Sequence, residues 1–260
     1  MEHPSDDDIR ATCAGPGAPT TVVYGLDIET DTTVDGLDTA VAAVVAVAVA
    51  GDAGDAVLTN PDEAQLLREV SGLLAALPAG VLVTWNGATF DLPFLDTRAR
   101  RHGIDLGLHL QVDPRARHPY ADDPYHRGTF QGSWRQHRHV DAFRVYRRDV
   151  GCTLGLSCGL KALAGLVGLD TVSVDPSRIN HLSPHQLRAY VASDARCARE
   201  LALRRWATAG RAIDPVVLPD ASTAAPPLTR TADLTPTAGL SPMAGLSRPP
   251  DLSQPVGTLR

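Results

Sequence analysis

The feature that most narrows the fold is a run of twelve small apolar residues, Ala40 to Gly51 (AVAAVVAVAVAG). A helix that crosses a membrane needs about 20 apolar residues, so this run is too short to span. Its β-branched content and its Gly and Asp flanks read instead as a buried strand over Val41–Ala50. A second strand pattern precedes it at Thr21–Ile28 (TVVYGLDI), and a short third follows at Ala56–Thr59.

Helical and strand patterns then alternate. Asn60-Pro61-Asp62-Glu63 opens a helix, with a capping residue, Pro at the first helical position and acids in the first turn. Leu66, Leu67, Val70, Leu73, Leu74 and Leu77 give it an apolar face at helical spacing, and Pro78 and Gly80 stop it. Val81–Trp85 reads as a strand, and Asp91 to Arg101 as a helix. His139–Tyr146 reads as another strand, and Leu156–Val167 as another helix. The last helix opens on Ser183-Pro184-His185-Gln186, a capping box with Pro at the first position, and runs to about Ala207. Three strands followed by alternating helices and strands describe an α/β domain with a mixed sheet.

The ends differ in composition. Residues 1–19 are rich in Pro, Gly and Asp and read as a flexible leader. Residues 214–260 turn to Pro, Thr, Ser, Ala and Gly, with near-copies of Ala-Gly-Leu-Ser at 238–241 and 244–247. Such a segment buries too little apolar surface to offset chain entropy and reads as a disordered tail. One domain remains, 20–213.

The chain has 260 residues and a net charge of −6, which argues against a polycation that coats nucleic acid through bulk charge. Its 24 basic residues are 23 Arg and one Lys. With Ala so abundant, that bias reads as genome base composition, so the Arg count alone assigns no function. The charge is unevenly placed. Residues 20–96 hold 12 acids and one base, net −11; residues 97–213 hold 10 acids and 19 bases, net +9. This is either a chance split of solvated surface charge or an acidic centre facing a basic surface. Cys13, Cys152, Cys158 and Cys197 form no CxxC pair, and the N-terminus is acidic and polar. Reduced thiols and a cytoplasmic location are expected, with no membrane association.

Three segments carry the chemistry. Asp27-Ile28-Glu29 ends the first strand, where residues i and i+2 point to one face. Two carboxylates there repel unless a cation lies between them, and their hard oxygens suit Mg²⁺ or Mn²⁺. Asn86-Gly87-Ala88-Thr89-Phe90-Asp91 follows the fourth strand, at the strand end where open α/β sheets place ligands. Tyr190 and Asp194 are four residues apart in the last helix and project together. Each segment alone also fits an ordinary turn, a helix cap or a surface pair.

Together, in this order, the three segments resemble the DEDD superfamily of 3′–5′ exonucleases, in the subgroup whose third motif is Tyr-x-x-x-Asp. With His139-Val140-Asp141 at the head of the next strand, the likeness is greatest to the proofreading exonuclease domains of family-B DNA polymerases and their stand-alone relatives. The resemblance implies a ribonuclease-H-like fold: a mixed five-stranded sheet flanked by helices. It also implies a metal-dependent 3′–5′ exonuclease acting on single-stranded or frayed 3′ ends of nucleic acid, DNA favoured. By that likeness Asp27, Glu29, Asp91 and Asp194 hold two Mg²⁺ or Mn²⁺ ions about 4 Å apart, and Tyr190 orients the attacking water. Thr30, Asn86 and Phe90 are expected near the terminal nucleotide. Asp141 is either a partner of the metal ligands or a structural acid. No polymerase domain is read after the exonuclease motifs, so proofreading within the same chain is not expected. The rival reading is a non-catalytic nucleic-acid-binding module on the same fold.

Residues 105–138 depart from the family pattern. They form a polar insertion in which Arg115, Arg117, Arg127, Arg135 and Arg138 mix with Tyr120, Tyr125, Phe130 and Trp134. Such a mixture suits either a grip on single-stranded nucleic acid or a mobile loop. Gly155-Leu156-Ser157-Cys158-Gly159 fits the G-x-S-x-G pattern of serine hydrolases, but too little chain follows for that fold.

Overall fold

The first strand, β1 (Val22–Thr30), shows why this chain forms a covered sheet. Its side chains alternate. Tyr24, Leu26 and Ile28 join one core cluster, while Val23 joins another on the opposite face. The structure is a computed structural model, and it describes residues 19, 21–114 and 129–217. The expected leader, most of the expected tail, and Arg115, Arg117, Tyr120, Tyr125 and Arg127 of the insertion lie outside the described residues.

Strand β2 (Val44–Gly51) is the core of the Ala/Val run and pairs antiparallel with β1. The alternation within the run has a purpose. Val47 and Val49 face helices α1 (Glu63–Ala76) and α2 (Asp91–Arg101), alongside Leu66, Leu67, Val70, Leu74, Leu92 and Leu95. Ala46, Ala48 and Ala50 face the last long helix, packing on its Val191 and Ala195. The valines fill space against two helices, and the alanines let one helix come close. That last helix is numbered below, in its place in the chain.

Strands β3 (Gly54–Leu58) and β4 (Gly80–Thr84) flank this pair, β3 on β2 and β4 parallel to β1. The expected 105–138 insertion contains a hairpin. Strands β5 (Leu108–Val112) and β6 (Phe130–Trp134) pair antiparallel, and β6 joins β7 (His137–Asp141). The sheet order is β3-β2-β1-β4-β7-β6-β5, seven strands where the sequence suggests five.

Two further boundaries move. The strand expected over His139–Tyr146 stops at Asp141, and helix α3 (Ala142–Tyr146) starts there. Asp141 is the reason: its side chain accepts the Phe143 N–H and caps the helix. The chain continues through a π-helical turn (Arg147–Gly151) and the short helix α4 (Cys152–Leu154). Helix α5 spans Leu160–Leu166, not 156–167, because Gly155 adopts a left-handed backbone (φ 64°) and Gly159 is extended. The long helix α6 (Pro184–Arg204) has the expected capping box between Ser183 and Gln186, and α7 (Trp206–Ala209) follows.

Contact between α6 and β1 is backbone on backbone. A Cβ on Gly25 would lie 1.9 Å from the carbonyl oxygen of Ala195. Arg199, one turn further along α6, donates to the Val23 carbonyl at 2.9 Å. Helix and strand are therefore locked in register. Gly25→Ala is expected to cost about 1–3 kcal/mol in urea-induced unfolding, as overpacking does. A loss below about 0.5 kcal/mol, the size of an ordinary surface change, would show that the contact can relax.

The far side of the sheet is closed by a buried chain of polar groups. Thr84 Oγ1 meets His139 Nε2 at 2.8 Å, and His139 Nδ1 meets Asp214 Oδ2 at 2.7 Å. Asp214 also accepts the Gly132 N–H, and Val217 pairs with Ser133. Packed chain thus continues past the sequence boundary at 213, as far as Val217. Among the described residues no helix is long and apolar enough to cross a membrane.

Candidate metal centre

Gly25, Asp27 and Glu29 share one face of β1, and Ala195 lies against Gly25. Earlier positions on α6 therefore fall beside the two acids. Oxygens of Asp27, Glu29 and Asp194 all lie within 4.8 Å of one another. Asp194 is buried, as is Tyr190 one turn before it, and the Tyr190 hydroxyl hydrogen-bonds the Asp194 carboxylate.

Asp91, the first residue of α2, stands beside this trio rather than within it. It is buried, and its carboxylate accepts the N–H of Ile28, the residue between Asp27 and Glu29. The turn before it is held by Asp141, whose Oδ1 accepts the Asn86 N–H at 2.9 Å as well as that of Phe143. Asn86 has a left-handed backbone (φ 66°), and Asp141 stabilises that turn. Asp141 therefore has a structural role that reaches the site through Asn86.

The other sequence candidates are more dispersed. Phe90 is half-buried and packs on Phe94, with ring centroids 5.3 Å apart. The Thr30 hydroxyl donates to the Gly36 carbonyl at 2.8 Å, so it holds the following loop rather than joining the carboxylates. Ser157 is exposed in the turn before α5, and its Oγ accepts the Gly159 N–H. That turn is not a strand-to-helix elbow.

One residue at the centre escapes the sequence motifs. Lys161, on α5, pairs with Asp194, donates to the Val172 carbonyl, and places its ammonium 4.4 Å from the Tyr190 ring centroid. It is the single lysine among 24 basic residues. That singularity is the available signal, and genome composition masks it.

The electrostatics of the cluster are those of a cation trap. Burial, then Asp91, Glu29 and Asp194, push the Asp27 carboxyl well above its usual range, against the pull of Lys161. Burial, then Asp194 and Asp91, push Glu29 up to about 8. Burial, then Asp141, pushes Asp91 up to about 7, although the Ile28 N–H opposes it. Asp194 is raised by burial despite its bonds from Lys161 and Tyr190. Tyr190 is raised too, by burial and then by Glu29, Asp194 and Asp27, so its hydroxyl keeps its proton at neutral pH.

These shifts set the pH dependence of the metal-free protein. Unfolded carboxyls titrate near about 4. In the fold the protonated form is favoured, so this contribution is complete below about pH 4. It is lost as pH rises through about 7 to 8, where Asp91 and Glu29 ionise. Divalent cations that bind the ionised cluster reverse the loss. Mn²⁺ is therefore expected to raise Tm more at pH 8 than at pH 6, measured by thermal unfolding. Equal shifts at both values would contradict the trap.

Comparison with known proteins accords with this geometry. A family described as DNA polymerase family B, exonuclease domain, matches residues 46–163. Over that stretch the chain is similar to the exonuclease domain of family-B DNA polymerases. Asn86, Phe90, Asp91 and Lys161 lie within the matched stretch, and the β1 acids and the α6 pair lie on either side of it. The chain is 32% identical over 143 residues, 54% of its length, to a DNA polymerase epsilon catalytic subunit of Schizosaccharomyces pombe. It is 31% identical over 140 residues, 52% of the chain, to a DNA polymerase epsilon catalytic subunit of Arabidopsis thaliana. The chain spans about 6% of the length of these relatives. It also aligns with a family B DNA polymerase from the hyperthermophilic archaeon Pyrobaculum calidifontis, with a TM-score of 0.52 and 22% identity. That alignment covers 71% of this chain and 24% of the other, and it speaks for the fold: a ribonuclease-H-like α/β domain.

Proposed function

We propose that the chain is a metal-dependent 3′–5′ exonuclease that hydrolyses the terminal phosphodiester bond of a single-stranded or frayed 3′ end. The observation that carries this reading is the trio Asp27, Glu29 and Asp194, whose oxygens crowd within 4.8 Å with their carboxyls pushed upward. Hard oxygens with unrelieved repulsion fit Mg²⁺ or Mn²⁺, and with Asp91 alongside there are carboxylates enough for two ions. When bound, such ions supply an activated water and neutralise charge on the leaving 3′ oxygen.

The chain's own groups do the rest. Neutral Tyr190 donates and accepts hydrogen bonds and orients the attacking water; it is too weak an acid to serve as its base. The Glu29 carboxylate, ionised when the cations bind, can accept the proton the water gives up. Lys161 offsets the negative charge on Asp194 and is well placed to meet a phosphate. Asn86 and Phe90, in the turn that leads into Asp91, are the groups assigned to the terminal sugar and base in this reading. DNA is favoured because the relatives bear DNA polymerase names.

The test uses 5′-labelled single-stranded DNA and RNA with Mg²⁺ or Mn²⁺. A ladder of shortened products on DNA, lost with EDTA, is expected. Binding without shortening would replace this reading with the non-catalytic nucleic-acid module. A stronger ladder on RNA would overturn the DNA preference alone.

A further inference from the structure

Past the end of β4 lies a cavity of about 570 Å³, lined by Trp85, Asn86, Phe143, Arg147, Cys152 and Cys158 among others. Two of the three described cysteines share its wall, and the third, Cys197, is buried in α6. Cys152 is exposed and Cys158 half-exposed, so both are open to a small oxidant.

We propose that Cys152 and Cys158 are a paired oxidation site that forms a reversible disulfide across this cavity. The Cys158 sulfur already lies 2.9 Å from where a Cβ on Gly151 would stand, and Gly151 is bonded to Cys152. Neighbouring Cα atoms are about 3.8 Å apart, and a disulfide needs Cα atoms about 4.4–6.8 Å apart. The sulfur thus lies against the backbone that carries its partner. A rotation of the three-residue α4 turn brings the thiols together, and the left-handed Gly155 between them lets the chain bend.

The chemistry needs a peroxide as oxidant. The Cys152 thiol, as thiolate, attacks the peroxide; the O–O bond breaks, a sulfenic acid forms, and water leaves. The Cys158 thiol then attacks that sulfur; the S–S bond forms, the S–O bond breaks, and a second water leaves. Two thiols lose two hydrogens in all, and one hydrogen peroxide becomes two waters. A dithiol reductant reverses the bond by exchange.

The Cys158 end of the bond lies on the segment that leads to the candidate metal centre. The Cys158 carbonyl accepts the Trp85 indole N–H at 3.1 Å, and Trp85 precedes Asn86. Lys161 lies three residues beyond Cys158 at the start of α5. Pulling Cys158 toward α4 closes the cavity next to Asn86 and shifts the helix that carries Lys161. The bond itself is independent of the proposed exonuclease function; its effect on rate rests on that reading.

The test treats the full chain with hydrogen peroxide, then digests with trypsin. Cleavage after Arg148 and Lys161 releases one peptide, 149–161, that holds both cysteines. It is expected to lose about 2 Da, one disulfide's two hydrogens, to resist alkylation, and to recover both thiols with dithiothreitol. A peptide that gains only oxygen, or that alkylates fully, overturns the site. So does a 2 Da loss that persists in Cys152→Ser. If the ladder assay is positive, the oxidised protein is expected to cut about tenfold more slowly, as small misplacements near reacting groups do. Cys152→Ser and Cys158→Ser are expected to be insensitive to peroxide. An unchanged rate in the fully bridged protein overturns the closure of the cavity but leaves both the bond and the exonuclease reading standing.

Discussion

Asp27→Asn is expected to abolish the product ladder, with a loss of at least about 1,000-fold in rate at saturating Mn²⁺. Asp27 responds to the whole cluster: its carboxyl is raised by burial first and then by Asp91, Glu29 and Asp194 together. The amide keeps the shape of the side chain and removes its charge. For that reason the same substitution is expected to leave the metal-free fold as stable or more stable, because repulsion falls. What it loses is stabilisation by Mn²⁺, read as the disappearance of the metal-dependent rise in Tm. A structural role predicts the opposite pattern, with lower Tm in the absence of metal. A ladder that survives Asp27→Asn would end the proposal that these carboxylates are the catalytic centre.

Arg98→Met is expected to be the most damaging single change to stability, about 3–5 kcal/mol by denaturant unfolding near neutral pH. Arg98 is 7% exposed. Its guanidinium grips both oxygens of Glu63 and donates to the Thr39 carbonyl at 2.8 Å. Glu63 in turn accepts the Val44 N–H and meets His102 Nε2 at 2.7 Å. Five elements of local structure meet on this Arg98–Glu63 pair: α1, α2, the turn after it, the loop at Thr39 and the start of β2. Burial alone would raise the Glu63 carboxyl, but these bonds hold it below its usual value. Removing Arg98 strands a buried negative charge. The cost is therefore present above the ordinary Glu range and shrinks as pH falls and Glu63 takes up a proton. A loss of less than about 1 kcal/mol, the worth of an exposed pair, would mean that water reaches Glu63.

The parts of this fold that could be read from the sequence are those where packing leaves a period. The Ala/Val run announces β2, and the leucines of α1 announce the helix that covers it. The hairpin β5–β6 left no such trace. LHLQV and FQGSW are half-polar, and their strand state comes from pairing with each other and with β7 rather than from alternation. Asp141 misled for a related reason: Val140, Ala142 and Val145 are all buried, so strand and helix merge into one apolar stretch. At the site, Asp27, Glu29, Tyr190 and Asp194 could be placed because each pair sits on one element at fixed spacing. Lys161 could not, since only the tertiary fold brings α5 against the middle of α6. Thr30 illustrates the converse, a side chain next to the motif that turns to its own loop.

The lysine at that meeting point has a chemical consequence. Apart from the terminal amine, the chain offers an amine-directed reagent a single side chain, and that amine lies between Asp194 and the ring of Tyr190. Reductive methylation would place an isotopic label at one interior position without any engineered residue. Its resonance would report directly on what neutralises Asp194: the ammonium itself, an arriving cation, or the phosphate of a bound strand. The composition bias that stripped lysine from the rest of the surface has left this domain with a native probe at its chemical centre.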